Sequence, residues 1–584
     1  MLHTALGLLA FSALSAYGNA SPSVSLRGSN STQDRVAGAA RDSLIRIDGL
    51  TANKVESFLN IRFGESTSGN NRFAPPKAFT YPGGTRVNAT SAGAACPQPK
   101  VPEPDFPLFD NVTKMSEDCL NLRVDRPVGT AANAKLPVMV YIYGGGDSFG
   151  QVYDSAYAPA GLVANSANLG YPVIYVAMNY RVGVFGFAAS PALRAADSLN
   201  VGLLDQRLAL EWVQENIAAF GGDPDNVTIF GESDGGTGVG LQITAYGGNA
   251  KSVPFKRAIM QSGSALGDPG TASNFSAVHT AQVVKKAKCT SSSSTEELAC
   301  LRKLPMETLR LVSIDVQNAD ATSGMDVFIP TSPSTFIPDS PSKLLTDGRF
   351  SKNIDLITGW NENDGSLATS PYINSTATVA AFLKSQFPAF SKQNIEKALA
   401  LYPVSSFAPL PSEGISAQYF RASQIQRDSQ FSCPSLHQLQ MNQKYSDAGT
   451  TNYLFALNQT IFSTAFALYN ASFYGVSHMS DIPFVFNQAK TKYAELSTAS
   501  DVKLASQMSG SWASFAAYGN PSKGNGSISG WSDAKDADDQ YKLQVIGGLR
   551  AGIRTIGTGA DTYEALAKRC AFWNSPEVFE QMEV

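Results

Sequence analysis

The chain reads as an α/β protein built on a large, mostly parallel sheet, and three observations predict it. Apolar runs of strand length alternate with a helical pattern between Lys135 and Phe230, glycine-rich turns follow the strands, and no internal repeat or domain-separating linker interrupts the remainder. Strands interleaved with helices favour parallel pairing, because each crossover needs a connection long enough to carry the chain back to the same end of the sheet. The first run is Leu136–Tyr143 and the second Val173–Asn179, near-continuous apolar segments of the kind buried on both faces. The next element is a helix over Leu203–Ile217, with Leu204, Leu208, Trp212 and Ile217 near helical spacing, stopped by Gly221-Gly222-Asp223-Pro224. A third strand, Val227–Phe230, then runs into Gly231. From Thr271 to Tyr474 the text is more helical, with helices expected over Val379–Phe387 and Lys392–Leu401, and this region is expected to lie over the sheet as an insertion. Length alone would allow roughly three or four domains. The lack of a linker favours one domain over residues 21–584 behind a leader at 1–20.

Composition narrows the function. Of 584 residues only 16% are charged, with 45 Lys and Arg against 49 Asp and Glu, whereas soluble domains average roughly 25% charged residues. Without a basic run there is nothing to neutralise phosphates, so nucleic acid is excluded as a partner. The apolar run Ala5–Tyr17, followed by Gly18-Asn19-Ala20, has the form of a secretory signal cleaved after Ala20. No later segment reaches the roughly 20 apolar residues that a bilayer span requires, so no stable membrane insertion is expected. An oxidising route fits the six cysteines and the Asn-x-Ser/Thr sequons at Asn30, Asn88, Asn111, Asn226, Asn274, Asn374, Asn458, Asn470 and Asn525. Six cysteines allow fifteen pairings. Spacing suggests Cys96 with Cys119 and Cys289 with Cys300, leaving Cys433 for Cys570, and no Cys-x-x-Cys or His-x-x-x-His spacing points to a metal.

The chemistry is carried by Val227-Thr228-Ile229-Phe230-Gly231-Glu232-Ser233-Asp234-Gly235-Gly236, a strand running through Gly-x-Ser-x-Gly into a helix start. A serine on so sharp a turn needs residues without side chains on both sides, and this is the pattern of a nucleophile elbow. Acyl transfer also needs backbone N–H donors for an oxyanion. Gly144-Gly145-Gly146 directly follows a strand and can present the amides of Gly145 and Gly146, with the amide of Asp234 as a third donor.

The chain resembles the type-B carboxylesterase/lipase family, α/β-hydrolases that include cholinesterases and extracellular fungal lipases. The resemblance is carried, in family order, by Ser116-Glu117-Asp118-Cys119-Leu120, Asn179-Tyr180-Arg181, Gly202-Leu203-Leu204-Asp205-Gln206, Asn216 to Pro224, Phe230-Gly231-Glu232-Ser233, Gln261-Ser262-Gly263 and Trp512-Ala513-Ser514-Phe515-Ala516. It implies a mostly parallel central sheet with helices on both faces and a helical insertion over the active site. It also implies a Ser233–His478–Asp364 triad: the segment Gly475 to Phe486 resembles the family's histidine loop, and Asp364 precedes Gly365 where relatives usually have glutamate. Glu362 is the rival acid; His437 and His279 are the rival bases. Glu232, Ser262 and Asp481 match a polar network behind the triad.

Departures from the family bear on substrate. Asp234 stands where alanine is usual, and a carboxylate about 5 Å from an oxyanion at an effective dielectric near 20 would cost roughly 3 kcal/mol, so its side chain is expected to point away. Tyr143 and Asp147 replace a histidine and an apolar residue on the leaving-group side, Phe109 replaces the tryptophan that holds choline in cholinesterases, and Phe328 and Phe336 are candidates for the acyl side. The leading expectation is a secreted serine ester hydrolase acting on a small-molecule ester without metal or organic cofactor, with the oligomeric state left open. The alternatives are an acyl transferase or lactone-forming enzyme with the same triad, a triacylglycerol lipase, and a non-catalytic adhesion or binding member.

Overall fold

The computed structural model describes residues 21–27, 44–100, 109–250, 252–320, 327–535, 540–557 and 563–584, so the leader at 1–20 and the sequon at Asn30 lie outside the described residues. Its centre is an 11-stranded sheet. In chain order the strands are β1 (Leu50–Ala52), β2 (Val55–Arg62), β3 (Asn121–Pro127), β4 (Leu136–Ile142), β5 (Ile174–Met178), β6 (Gly222–Glu232), β7 (Arg257–Gln261), β8 (Asp355–Asn361), β9 (Asn452–Leu457), β10 (Gln540–Ile546) and β11 (Gly552–Gly557). They lie side by side as β1-β2-β3-β5-β4-β6-β7-β8-β9-β10-β11. Every neighbouring pair from β5 to β10 is parallel, and the antiparallel pairs are confined to the edges. β5, β7 and β9 are buried along their whole length, as expected where helices cover a parallel sheet. A separate 3-stranded sheet joins Ser23–Arg27, Leu44–Asp48 and Arg86–Asn88.

The expected helix after β5 spans Val201–Asn216, continues as a short 3-10 turn and ends at Gly221, whose φ of 86° only glycine adopts cheaply. β6 begins at Gly222 and is longer than the expected Val227–Phe230, because the breaker segment already pairs with Leu136 of β4. The helix expected at Val379 starts earlier, at Thr376, where Ser375 and Thr378 form a reciprocal capping box. Lys392–Leu401 is helical as expected.

The region from Thr271 to Tyr474 departs from expectation. It is largely helical, but it is not a simple insertion, since β8 and β9 run through it and join the central sheet. Three of the sequence motifs named above contribute to structural pins. Arg181 forks onto both carboxylate oxygens of Asp205 at 2.7 Å, and Arg72 onto both of Glu117 at 2.6 and 2.7 Å, all four side chains being buried. Bidentate pairs of this kind fix geometry as well as charge.

The disulfides are Cys96–Cys119, Cys289–Cys300 and Cys433–Cys570, the pairing that spacing suggested. The last ties the helix Cys433–Tyr445 to the helix Leu566–Trp573 across a sequence separation of 137. Closing so long a loop removes denatured-state entropy, so Cys433→Ala with Cys570→Ala is expected to cost about 2–5 kcal/mol, read as a lower urea midpoint.

Candidate active site

The strand order reverses at β4: the chain leaves it for β5 on one side and reaches β6 on the other. In open parallel sheets a crevice forms outside the carboxyl ends of strands at such a reversal. Here β4 ends in Gly144-Gly145-Gly146 and β6 ends in Glu232, one residue before Ser233.

Ser233 alone makes the turn from β6 into the helix Asp234–Thr244, at φ 60° and ψ −131°. A conformation so sparsely populated for a residue with a side chain costs roughly 1–3 kcal/mol. The surrounding backbone enforces it. A Cβ on Gly235 would lie 2.1 Å from the Ile142 carbonyl oxygen, and one on Gly231 2.4 Å from the Gly235 carbonyl, so neither position accepts a side chain.

The structure brings the three expected triad residues into one hydrogen-bonded line. His478 Nε2 lies 2.8 Å from Ser233 Oγ, and Nδ1 lies 2.7 Å from Asp364 Oδ1. The other oxygen of Asp364 accepts from the Ser262 hydroxyl at 2.7 Å and the Asn361 amide at 2.8 Å, which locks the buried carboxylate. The shorter aspartate therefore reaches the imidazole. Glu362 is not beside His478; it pairs with Arg550 and accepts a hydrogen bond from Tyr563. His437 is buried against Phe579 at 5.0 Å, and burial lowers its pKa to about 4. His279 bonds the Phe275 carbonyl and Asp320.

Three buried carboxyl groups surround this one imidazole. Glu232 Oε1 is 3.4 Å from His478 Nε2, and Asp481 accepts from Gln261 and Asn361 behind the histidine. Burial opposes charge on His478, but Glu232, then the hydrogen bond and charge of Asp364, then Asp481, outweigh it and raise the pKa to about 10. Burial also pushes the Glu232 carboxyl well up, with His478 opposing, and burial raises Asp481. The raised His478 is the firmer direction of the Glu232–His478 pair, because the Asp364 hydrogen bond supports the imidazolium independently.

The expectation for Asp234 is overturned. Its Oδ2 accepts from the Gly146 amide at 2.5 Å and from the Ser233 hydroxyl at 3.1 Å, so the carboxylate sits in the candidate oxyanion site instead of pointing away. The physical reason is local. A carboxylate at the rim of a cleft is more stable on a backbone N–H than without one, and charge-assisted bonds are the stronger kind.

The site opens into a cavity of about 620 Å³, lined by Gly145, Gly146, Ser233, Asp234 and His478, with Phe109 on one wall. Phe109 packs with Phe149 at 5.8 Å and Tyr157 at 5.9 Å, both also facing the cavity. The other pocket candidates lie elsewhere. Tyr143 is turned into the core, stacked on Tyr180 at 4.5 Å with its hydroxyl on the Tyr180 backbone, because Gly150 closes over its ring. Asp147 is buried beside the cavity and not in its wall, although the carboxylate oxygens of Asp147, Asp234 and Asp268 fall within 4.8 Å of one another. Phe336 packs on Tyr246 at 5.1 Å, and Phe328 is buried near His279; neither lines the cavity. Sequence reading missed Phe431, whose ring lies 5.0 Å from that of His478. A π-helical turn, Asp428–Ser432, between the helices Ala417–Arg427 and Cys433–Tyr445 delivers it, and no local motif announces that turn. Gln261 and Trp512, by contrast, stood inside quoted motifs: Trp512 holds Gln261 at 2.8 Å, and Gln261 holds Asp481.

A general base must be neutral, so a raised His478 pKa moves the ascending limb of kcat/KM to the alkaline side of the imidazole's usual pKa of about 6.5. Glu232→Gln removes the strongest raising charge and is expected to move that limb back toward neutrality. A pH–rate profile of the two proteins on one ester checks this; a wild-type limb at or below about 6.5 would contradict it.

Comparison with known proteins places this geometry. The model of the carboxylesterase family matches residues 42–546. The chain is 39% identical to the inactive carboxylesterase-like protein VdtD of Byssochlamys spectabilis, over 91% of this chain and 92% of that protein. It is 38% identical to a secreted lipase of Arthroderma benhamiae, over 92% of this chain and 94% of the lipase. Among solved structures, Aspergillus niger EstA superposes with a TM-score of 0.73 at 24% identity, covering 92% of this chain and 98% of EstA, which shows the shared α/β-hydrolase fold. The chain belongs to the carboxylesterase family, the α/β-hydrolases that act on carboxylic esters.

Proposed function

We propose that this chain is a secreted serine carboxylic-ester hydrolase that works through an acyl-enzyme on small or medium esters. The observation that carries the reading is the Ser233–His478–Asp364 line at the floor of the cavity. Ser233 Oγ attacks the ester carbonyl as neutral His478 takes its proton; Asp364 holds the ring in the productive tautomer; and the amides of Gly145, Gly146 and Asp234 receive the oxyanion. His478 then hands the proton to the leaving alcohol, and water repeats the sequence to release the acid. Glu232, Ser262 and Asp481 position these groups. No metal or organic cofactor is called on.

A cavity of about 620 Å³ suits an ester of modest size. Phe109, Phe149 and Tyr157 give it an apolar wall without an indole platform for choline. Export is supported by the three disulfides, by relatives named secreted lipases, and by sequons at Asn88, Asn111, Asn274, Asn374, Asn470 and Asn525 that are exposed and proposed to carry glycans. Asn226 and Asn458 are half-buried, and Asn226 already accepts from Arg257. Among the described residues no helix is long and apolar enough to cross a membrane. The chain after residue 20 is proposed to act as one domain, because the strands of the sheet run from Leu50 to Gly557.

A series of p-nitrophenyl esters from acetate to palmitate, assayed on wild type and Ser233→Ala, tests the reading. Turnover that peaks at short to medium chains and falls by at least about 10³-fold in Ser233→Ala is expected. A peak at palmitate would assign a lipase, and equal rates in both proteins would remove Ser233 from the chemistry.

A further inference from the structure

We propose that Asp234 is a built-in occupant of the oxyanion site, which holds the resting enzyme in an unreactive arrangement and sets its selectivity against simple neutral esters. The inference rests on the serine-hydrolase reading above and deepens it.

Two features of the geometry converge. First, the Gly146 amide, one of the donors a substrate carbonyl oxygen must reach, already donates to Asp234 Oδ2 at 2.5 Å. Second, the same oxygen lies 3.1 Å from Ser233 Oγ. A serine hydroxyl has one proton. If it goes to Asp234, His478 Nε2, 2.8 Å from Oγ on another side, must be the donor to that oxygen, which requires an imidazolium. The ring of carboxyl groups that raises the His478 pKa favours that state. In it the serine is polarised toward the wrong partner, and the base is already protonated. Against this, the carboxylate oxygens of Asp147, Asp234 and Asp268 fall within 4.8 Å of one another, so Asp234 is held in this place against like charge. That repulsion lowers the cost of displacing the side chain when a substrate carbonyl claims the Gly146 amide.

Turnover therefore requires a proton release and a rearrangement. The His478 imidazolium gives its Nε2 proton to water, the Asp234 side chain leaves Gly146, the Ser233 hydroxyl turns its proton to the now neutral Nε2, and the ester carbonyl oxygen takes the vacated amide. The Asp234 backbone N–H remains available as a donor throughout. A neutral ester offers the displaced carboxylate nothing in exchange, so it is processed slowly. The carboxylate, not the chain bend at this position, is the cause.

The test compares wild type, Asp234→Ala and Asp234→Asn, all in EDTA so that no divalent cation bridges the three carboxylates. Two readouts are used: kcat/KM on p-nitrophenyl butanoate, and the inhibition constant of an alkyl trifluoromethyl ketone, which forms a hemiketal on Ser233 with its oxyanion in the site. Removing a unit charge about 5 Å from the oxyanion at an effective dielectric near 20 is worth about a hundredfold. Asp234→Ala is therefore expected to raise kcat/KM by about 10- to 100-fold, mostly in kcat, and to tighten the ketone by a similar factor. Asp234→Asn, which keeps the bulk but not the charge, is expected to fall between the two. Thermal melts of all three proteins separate these effects from loss of fold. If wild type turns over the ester and a folded Asp234→Ala is equal or slower with unchanged ketone affinity, the inference is overturned while the hydrolase reading stands. If no folded protein of the three turns over the ester or binds the ketone, the hydrolase reading fails and takes the inference with it.

Discussion

The structure hangs on one close approach, the contact of Gly231 and Gly235 with the end of β4 around the strained turn at Ser233. Because a Cβ at either glycine would meet backbone, and not a yielding side chain, the turn has no room to relax into an ordinary one. That single constraint fixes three things together. It aims the serine out of the sheet, it starts the helix Asp234–Thr244 against Gln261-Ser262-Gly263, and it sets Gly144-Gly145-Gly146 alongside the nucleophile, where a Cβ on Gly144 would touch the Glu232 carbonyl and Ser233 Cβ. The strain of one residue is carried by the pairing of β4 and β6 across the centre of the sheet.

Around that turn the chain concentrates carboxyl groups, although the protein has few charged residues overall. Glu232, Asp364 and Asp481 are each almost wholly buried within reach of one imidazole, and Asp234 adds a fourth carboxylate at the serine. Such a cluster is tolerable only if its members are hydrogen-bonded or share protons. Ser262 and Asn361 serve that end for Asp364, and Gln261, itself held by Trp512, serves it for Asp481, which explains why β7 and β8 end in Gln261 and Asn361 where apolar residues would pack more cheaply. The same ring of charge makes the imidazolium the comfortable state of His478 and the neutral base the costly one. Ser233, His478 and Asp364 stand in one hydrogen-bonded line, and on the reading proposed above the carboxyl groups around them hold that line at rest.

What the sequence disclosed, it disclosed where chemistry is local in the chain. Gly-x-Ser-x-Gly, the glycine run and the strand in front of each can be read directly, because the turns they make depend on the residues themselves. Asp364 was legible from its glycine neighbour, although the reach of its shorter side chain was settled by Ser262 and Asn361, far away in the chain. Asp234 was misread because its partner, Gly146, lies 88 positions earlier, and no spacing rule reports a bond between a side chain and a distant amide. Tyr143 was misplaced for the opposite reason: it follows a strand whose side chains alternate in direction, and Gly150 folds back over the face it takes. The stretch from Thr271 to Tyr474 passed for a pure insertion because β8, Asp-Leu-Ile-Thr-Gly-Trp-Asn, mixes polar residues into a buried strand. Phe431 depended on a π turn that leaves no mark in composition.

The most direct check on the account is to catch the acyl group on its residue. Wild-type protein mixed with a p-nitrophenyl ester, quenched in acid within the first turnovers, digested and analysed by mass spectrometry should carry the acyl increment on the peptide containing Ser233, and Ser233→Ala should carry none. An increment on another residue, or turnover with no acylated peptide at any quench time, would contradict it.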